Sequence, residues 1–315
     1  MFDHILVSLD GSSLAECVLP HTVAIAQAFG ARVTLLRVLE SAHEARSVDP
    51  VNWHIIEAEA KAYLDGVAAR LQASGLHTQP VLVVGQPAEQ IIEFTYGNNA
   101  DLIMLSSHGR SGLSGWNVSS VAQKIVLRAH RSIMVVRAYQ PAPVNLSGLR
   151  YQRVLVPLDG SQRAEVVLPL ATHLARAHEA QLLLVHAVRK PEMPRRAPLT
   201  QEEDELVTQI TERNQVEAAK YLDQLQSRLF VDVQTRLLIS DNVTATLHEW
   251  VEQEKVDLVV LSAHGYSGGA RWPYGSVVIS FVAYGSTPLL IMQDLPQDNL
   301  ERTQAEAAAQ AYERR

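Results

Sequence analysis

At 315 residues, with 47% hydrophobic and 19% charged side chains, the chain has room for two globular domains, each large enough to bury its own core. Its formal charge of −7 argues against nucleic acid as a partner, no apolar run is long enough to span a membrane, and the lone Cys17 excludes an intrachain disulfide. The opening residues, MFDHILVSLDG, carry acids where a secretory leader carries bases, so a cytoplasmic protein is expected.

The first element is the short apolar run HILVSL, which ends at Asp10-Gly11-Ser12 and suits a buried strand followed by a turn. A helix is predicted next, with Ser13 and Glu16 spaced as a capping box and Gly30 at its end. Cys17 falls on this helix and is expected to be a buried structural thiol. Pro20 sits awkwardly inside it, because proline lacks an N–H and clashes with the preceding turn. There follow the strand RVTLLRVL, a helix over 52–73, the strand HTQPVLVV and a helix over 88–96. The strand DLIML, a glycine-rich loop from Ser107, a helix over 119–129 and the strand SIMVVR complete the set. Strands alternating with helices imply a parallel sheet covered on both faces.

The chain then starts again. ILVSLDGSSLAECVLP from Ile5 returns as VLVPLDGSQRAEVVLP from Val154, an offset of 149 residues (Asp159 minus Asp10), and Pro20 returns as Pro169, which suggests a shared kink. The second copy runs from Arg153 to Gln293 with later strands QLLLVHAV, VDVQTRLLI, DLVVL and PLLIM. Two domains, 1–140 and 151–294, are expected around the linker YQPAPVNLSGLRY, with MPRRAPLT as an exposed loop and 295–315 as an alanine-rich helical tail.

Open parallel sheets bind ligands at the carboxyl ends of their strands, where the chain reverses its direction across the sheet. That brings together Asp10-Gly11-Ser12 with SSHGRSGLSGWNVSS, and Asp159-Gly160-Ser161 with SAHGYSGGARWPYGS. A glycine loop running into a helix suits a phosphate, which takes backbone N–H donors and the positive end of the helix dipole. No G-x-x-x-x-G-K-[ST] run is present and neither loop holds a lysine, so backbone and hydroxyl groups would bind the phosphates, with a divalent ion offsetting their charge.

These residues resemble the universal stress protein family in its tandem, two-domain form, over nearly the whole chain apart from the linker and the tail. Members that bind ATP carry G-x2-G-x9-G-[ST] after the fourth strand and an aspartate at the end of the first. Asp10 and Asp159 match the aspartate, which in the family lies beside the nucleotide. In the second copy Ser262 takes the first glycine position, while Gly265 and Gly275-Ser276 keep the rest. In the first copy Ser106 takes the first position, Gly109 keeps the second, and Ser119-Ser120 replace Gly-Ser. Ser119 is expected to crowd a phosphate or to forbid a positive φ, so the first loop is expected to be degenerate and the second to bind ATP.

The resemblance further implies an adenine nucleotide alpha hydrolase-like, Rossmann-like fold: two tandem five-stranded parallel open sheets, paired through their fifth strands as an intrachain pseudo-dimer. It implies backbone contacts to adenine or ribose near Val38 and Ala187; with ATP comes Mg carried by the phosphates, while a regulatory protein partner and a homodimer of whole chains stay open. His108 and His264 could contact phosphate, act as acid or base, or set loop geometry; Arg110 could meet phosphate or lie solvated; Trp116 and Trp272 could anchor their loops or stack on a base. His21, His43 and His54 form no metal-ligand grouping. Three functions stay open: an ATP-binding regulator of the stress response, a slow ATPase using His264 and Arg271, and a tandem scaffold without ligand. A phosphoacceptor receiver domain shares the element order but would need an acidic cluster and a phosphorylatable Asp after the third strand; only Asp241, in one copy, is available.

Overall fold

The computed structural model describes residues 1–40, 50–110, 112, 118–139, 145–191, 200–266 and 274–294. Trp116, Trp272, Arg271, His43, most of the MPRRAPLT segment and the 295–315 tail lie outside them. The first half comprises β1 (His4–Ser8), α1 (Val18–Phe29), β2 (Arg32–Leu39), α2 (Pro50–Ala73), β3 (Thr78–Val84), α3 (Pro87–Gly97), β4 (Leu102–Ser106), α4 (Ser120–Arg128) and β5 (Ser132–Val136). The second comprises β6 (Arg153–Leu158), α5 (Gln162–Glu165), α6 (Leu168–His178), β7 (Gln181–Arg189), α7 (Gln201–Arg228), β8 (Val233–Ser240), α8 (Val243–Gln253), β9 (Leu258–Ser262), α9 (Ser276–Tyr284) and β10 (Leu289–Met292).

All ten strands form one sheet in the order β3-β2-β1-β4-β5-β10-β9-β6-β7-β8. Each half is a parallel five-stranded block, and the blocks join where β10 pairs antiparallel with β5, Leu290 facing Met134. Strands buried on both faces explain the apolar runs of the sequence: β5 is buried throughout and β1 over its first four residues. The edges fall to β3 and β8, and Pro80, which cannot donate to a ladder, sits in edge strand β3. One apolar cluster packs beneath α1, α2, α6 and α7; a second lies on the other face beneath α3, α4, α8 and α9. Fully burying one Leu or Ile side chain of these clusters is worth about 1.5–3 kcal/mol. Among the described residues no helix is long and apolar enough to cross a membrane.

The structure corrects the start of α1. Ser12, not Ser13, caps the turn, its Oγ accepting the Ala15 N–H at 3.1 Å, and Ser161 repeats this with Ala164 at 3.1 Å. A single 3-10 turn, Ala15–Cys17, precedes α1, and Glu16 binds Arg70 at 2.6 Å instead of closing a capping box. The proline difficulty disappears for the same reason. Pro20 and Pro169 lie in the first turns of α1 and α6, where the missing N–H would have had no helical partner. Cys17 is buried, and burial pushes its thiol up to about 12, as suits a structural residue.

Between the halves α1 packs on α6. His173 Nε2 lies 2.7 Å from the Ala28 carbonyl, and its ring stacks on Phe29 with centroids 4.6 Å apart. Tyr151, 1% exposed, carries a hydroxyl 2.8 Å from His21 Nδ1 and meets the His178 ring edge-on. Arg137, just past β5, donates to the Phe281 and Val282 carbonyls at the end of α9, at 2.6 and 3.2 Å.

Candidate functional site

β1 has β2 on one side and β4 on the other, so the chain reverses its direction across the sheet there; β6 lies likewise between β7 and β9. The loops after these strands form the candidate clefts.

The aspartate ending each first strand is engaged by its own loops. Asp10 Oδ1 accepts the Ser12 N–H at 2.9 Å and the Ser12 hydroxyl at 2.6 Å, and Oδ2 accepts the Arg110 N–H. Asp159 does the same with Ser161 at 3.0 and 2.6 Å and with the Tyr266 N–H at 2.6 Å. Burial pulls the Asp159 carboxyl up, but the donors from Ser161 and Tyr266 outweigh it and hold the group below the usual carboxylate range. These bonds tie the first-strand loop to the fourth-strand loop, and they explain Gly109 and Gly265. A Cβ on either would overlap the aspartate carboxylate.

The helices that follow start alike. Ser119 has φ −66° and ψ 158°, and Gly275 has φ −72° and ψ 164°. Neither position needs a positive φ, so the conformational objection to Ser119 is removed. Ser119 N–H binds the Ser107 carbonyl at 2.7 Å, and Gly275 N–H binds that of Ala263 at 2.8 Å. The halves then diverge. Ser119 Oγ accepts the Ala122 N–H at 3.3 Å, whereas Gly275 offers no side-chain cap, so among the described residues no side chain caps the first N–H groups of α9.

The sequence-predicted residues come together. Asp10, Val38, Gly109, Ser119 and Ser120 line one first-half cleft of about 670 Å³. Asp159, Ala187, His264, Gly265, Gly275 and Ser276 line a second-half hollow of about 120 Å³, and Ala187 also borders a neighbouring hollow of about 360 Å³.

Sequence reasoning missed several neighbours. His264 Nδ1 lies 2.7 Å from Asp294 Oδ1, and Asp294 Oδ2 accepts Arg163 Nε at 2.6 Å. Burial raises the Asp294 carboxyl, but its bonds to His264 and Arg163 prevail and hold it below the usual range. In the first half the matching histidine, His108, instead has Ser107 Oγ 3.1 Å from its Nδ1, and Ser107 also accepts the Ala138 N–H at 3.0 Å. Ser106 Oγ donates to the His108 carbonyl at 2.6 Å, while the buried Ser262 Oγ lines the second hollow without a partner among the described residues. Arg37, Trp53 and Arg110 also border the first cleft. The available signal for Arg37 was a cation within the apolar stretch LLRVL, next to Val38.

For metals, the described residues contain no group of three or more His, Cys, Asp or Glu that could hold an ion. The Asp10 and Asp159 carboxylates are engaged by donors of their own loops.

Comparison with known proteins gives a consistent result. The model of the universal stress protein family matches residues 1–137 and again 150–293. A universal stress protein of Methanocaldococcus jannaschii is 26% identical over 141 residues, covering 44% of this chain and 83% of its own. One from Mycobacterium tuberculosis is 27% identical over 224 residues, covering 69% of each. A solved universal stress protein from Archaeoglobus fulgidus, 16% identical, superposes with a TM-score of 0.62 over 93% of this chain and 98% of its own, a likeness of fold.

Proposed function

The chain belongs to the universal stress protein family, and from that premise we propose that it is an ATP-binding regulatory protein of the stress response. In this reading two domains, 1–140 and 151–294, each hold an adenine nucleotide at the carboxyl edge of their strands. Occupancy sets the affinity for a regulatory protein partner in the cytoplasm. The observation that carries the reading is the start of α9. Its N–H groups at Ser276, Val277 and Val278 border the cleft, have no earlier helical carbonyl to bind, and are not capped by Gly275. At α4 the backbone geometry is the same but Ser119 Oγ takes the Ala122 N–H, so the reading extends to the first cleft, which the sequence alone had left degenerate, through the earlier N–H groups of Ser120 and Val121.

Side chains divide the remaining tasks. Asp159 and Asp10 hold the two loops of each site together, Ser276 and Ser120 add hydroxyls at the phosphate end, and Ala187 and Val38 border the region assigned to adenine and ribose. Mg would enter on the phosphates. His264, on which a slow ATPase would depend, has a fully buried ring bonded to Asp294, an arrangement that suits holding the loop more than activating a water.

The test is calorimetric titration of the nucleotide-free full chain with Mg-ATP, beside a Gly275→Leu variant. A Cβ at Gly275 would meet nothing closer than the Ala263 carbonyl at 3.6 Å, so the variant is expected to fold. Two sites are expected in the wild type and one in the variant. Absence of binding in folded wild-type protein would sink the nucleotide reading and favour the scaffold.

A further inference from the structure

Arg37 and His186 occupy the same place in the two halves, 149 residues apart (186 minus 37), on the second strand of each block. The Arg37 guanidinium lies over the Tyr63 ring, 5.2 Å from its centroid, and presses so close to Gly11 that a Cβ there would come within 2.8 Å of it. It borders the first cleft, and among the described residues no carboxylate or carbonyl oxygen binds it. Asp10 is the nearest acid in sequence to that turn, but its oxygens take the Ser12 and Arg110 donors. A permanent charge that is half withdrawn from water and carries no bonded counter-ion is costly unless a ligand supplies the anion.

The second half lacks a charge at this position; Arg189, which borders the same hollow, is already engaged by a partner of its own. His186 borders the 360 Å³ hollow against the Tyr221 ring, at 6.0 Å between centroids. Burial lowers its pKa, against a smaller upward pull from Asp159, so the imidazole is neutral at neutral pH. Resting on the nucleotide reading above, we propose that Arg37 is a built-in counter-charge for the phosphates in the first cleft, so that this half binds ATP without a divalent cation while the second half requires one. A guanidinium suits the task because its fork of N–H donors matches two phosphate oxygens at once.

The experiment is calorimetric titration of the full chain with ATP, in excess Mg²⁺ and in EDTA, for wild type, Arg37→Gln and Arg37→Lys. Two sites are expected with Mg²⁺ and one in EDTA. Arg37→Gln should weaken the EDTA-resistant site about ten- to hundredfold, the range for a lost charged hydrogen bond. Arg37→Lys should restore part of the loss, and the nucleotide-free melting temperature of both variants should stay near wild type. If both wild-type sites vanish in EDTA, if both survive it, or if Arg37→Gln binds as wild type does, the inference is overturned while nucleotide binding stands. No heat in Mg²⁺ from folded protein overturns both.

Discussion

Acid should loosen the contact between the halves through His21. Its Nδ1 lies 2.8 Å from the hydroxyl of Tyr151, where α1 of the first half meets the start of the second, and burial lowers its pKa from 6.5 to about 4. The folded protein therefore takes up the His21 proton later than the unfolded chain does. The sign follows: stability is constant above about pH 6.5, falls as the pH drops toward 4, and levels off below. The gap of 2.5 pH units (6.5 minus 4), at about 1.36 kcal/mol per unit, sets a ceiling of about 3 kcal/mol at pH 4. Residual exposure of the ring brings the expectation to about 2 kcal/mol. His4, His178, His186 and His248 are also lowered by burial, so wild type alone cannot isolate His21. The comparison is with His21→Gln, which keeps an acceptor for Tyr151 and does not titrate. Urea unfolding from pH 7 to 4 should show wild type losing about 2 kcal/mol more than the variant. Equal losses would refute the assignment of the acid response to this histidine.

Gly265→Ala should cost about 1–3 kcal/mol in urea unfolding, because the new Cβ overlaps the Asp159 carboxylate. Adding Asp159→Ala removes the overlap, so the double variant should lose less than the sum of the singles; additive losses would show that the two do not compete for the space. Asp294→Asn should cost about 2 kcal/mol by weakening the bonds to His264 and Arg163. The depressed carboxyl of Asp294 contributes stability above its ordinary value of 3.8 that is lost as pH falls through and below it, so guanidinium unfolding between pH 6 and 3 should be flatter in the variant. Arg137→Met should cost about 2–3 kcal/mol and speed amide exchange in the last turn of α9, since the Phe281 and Val282 carbonyls lose their buried donor.

The fold was legible because strands buried on both faces have to be apolar throughout, and because the 149-residue repeat shows every element twice. The carboxyl-edge loops were legible because glycines stand there in both copies. Three features were not. Backbone angles cannot be inferred from a motif, and glycine at the third position suggested a positive φ that neither Gly275 nor Ser119 adopts. The cause of Gly109 and Gly265, close approach to Asp10 and Asp159, spans about a hundred residues and emerges only once β1 lies beside β4 and β6 beside β9. The His264, Asp294 and Arg163 set joins a residue past β9, one past β10 and one on α5, with no spacing pattern between them. The cap at Ser12 was missed by one residue, since two consecutive serines both satisfy the local rule and only the path of the chain chooses between them.

The direction of the central strand pair constrains how the two clefts can act together. β5 and β10 run antiparallel, so the carboxyl ends of the first-half strands lie along one edge of the sheet and those of the second half along the other. A single small ligand cannot bridge the clefts, and any influence of one on the other has to cross the sheet. Helix α9 makes that crossing. At nine residues and 1.5 Å per residue it spans about 13 Å, from Gly275 at the second cleft to the carbonyls held by Arg137. Arg137 precedes Ala138, whose N–H binds Ser107 Oγ, and Ser107 touches His108 at the first cleft. Gly285 permits this contact, because a Cβ there would come within 2.6 Å of the Phe281 carbonyl and 3.1 Å of Arg137 Nη2. The first half thus braces the far end of the helix whose near end forms the proposed phosphate site of the second. This is a physical reason for carrying both copies in one chain that holds whether the clefts bind the same ligand or different ones.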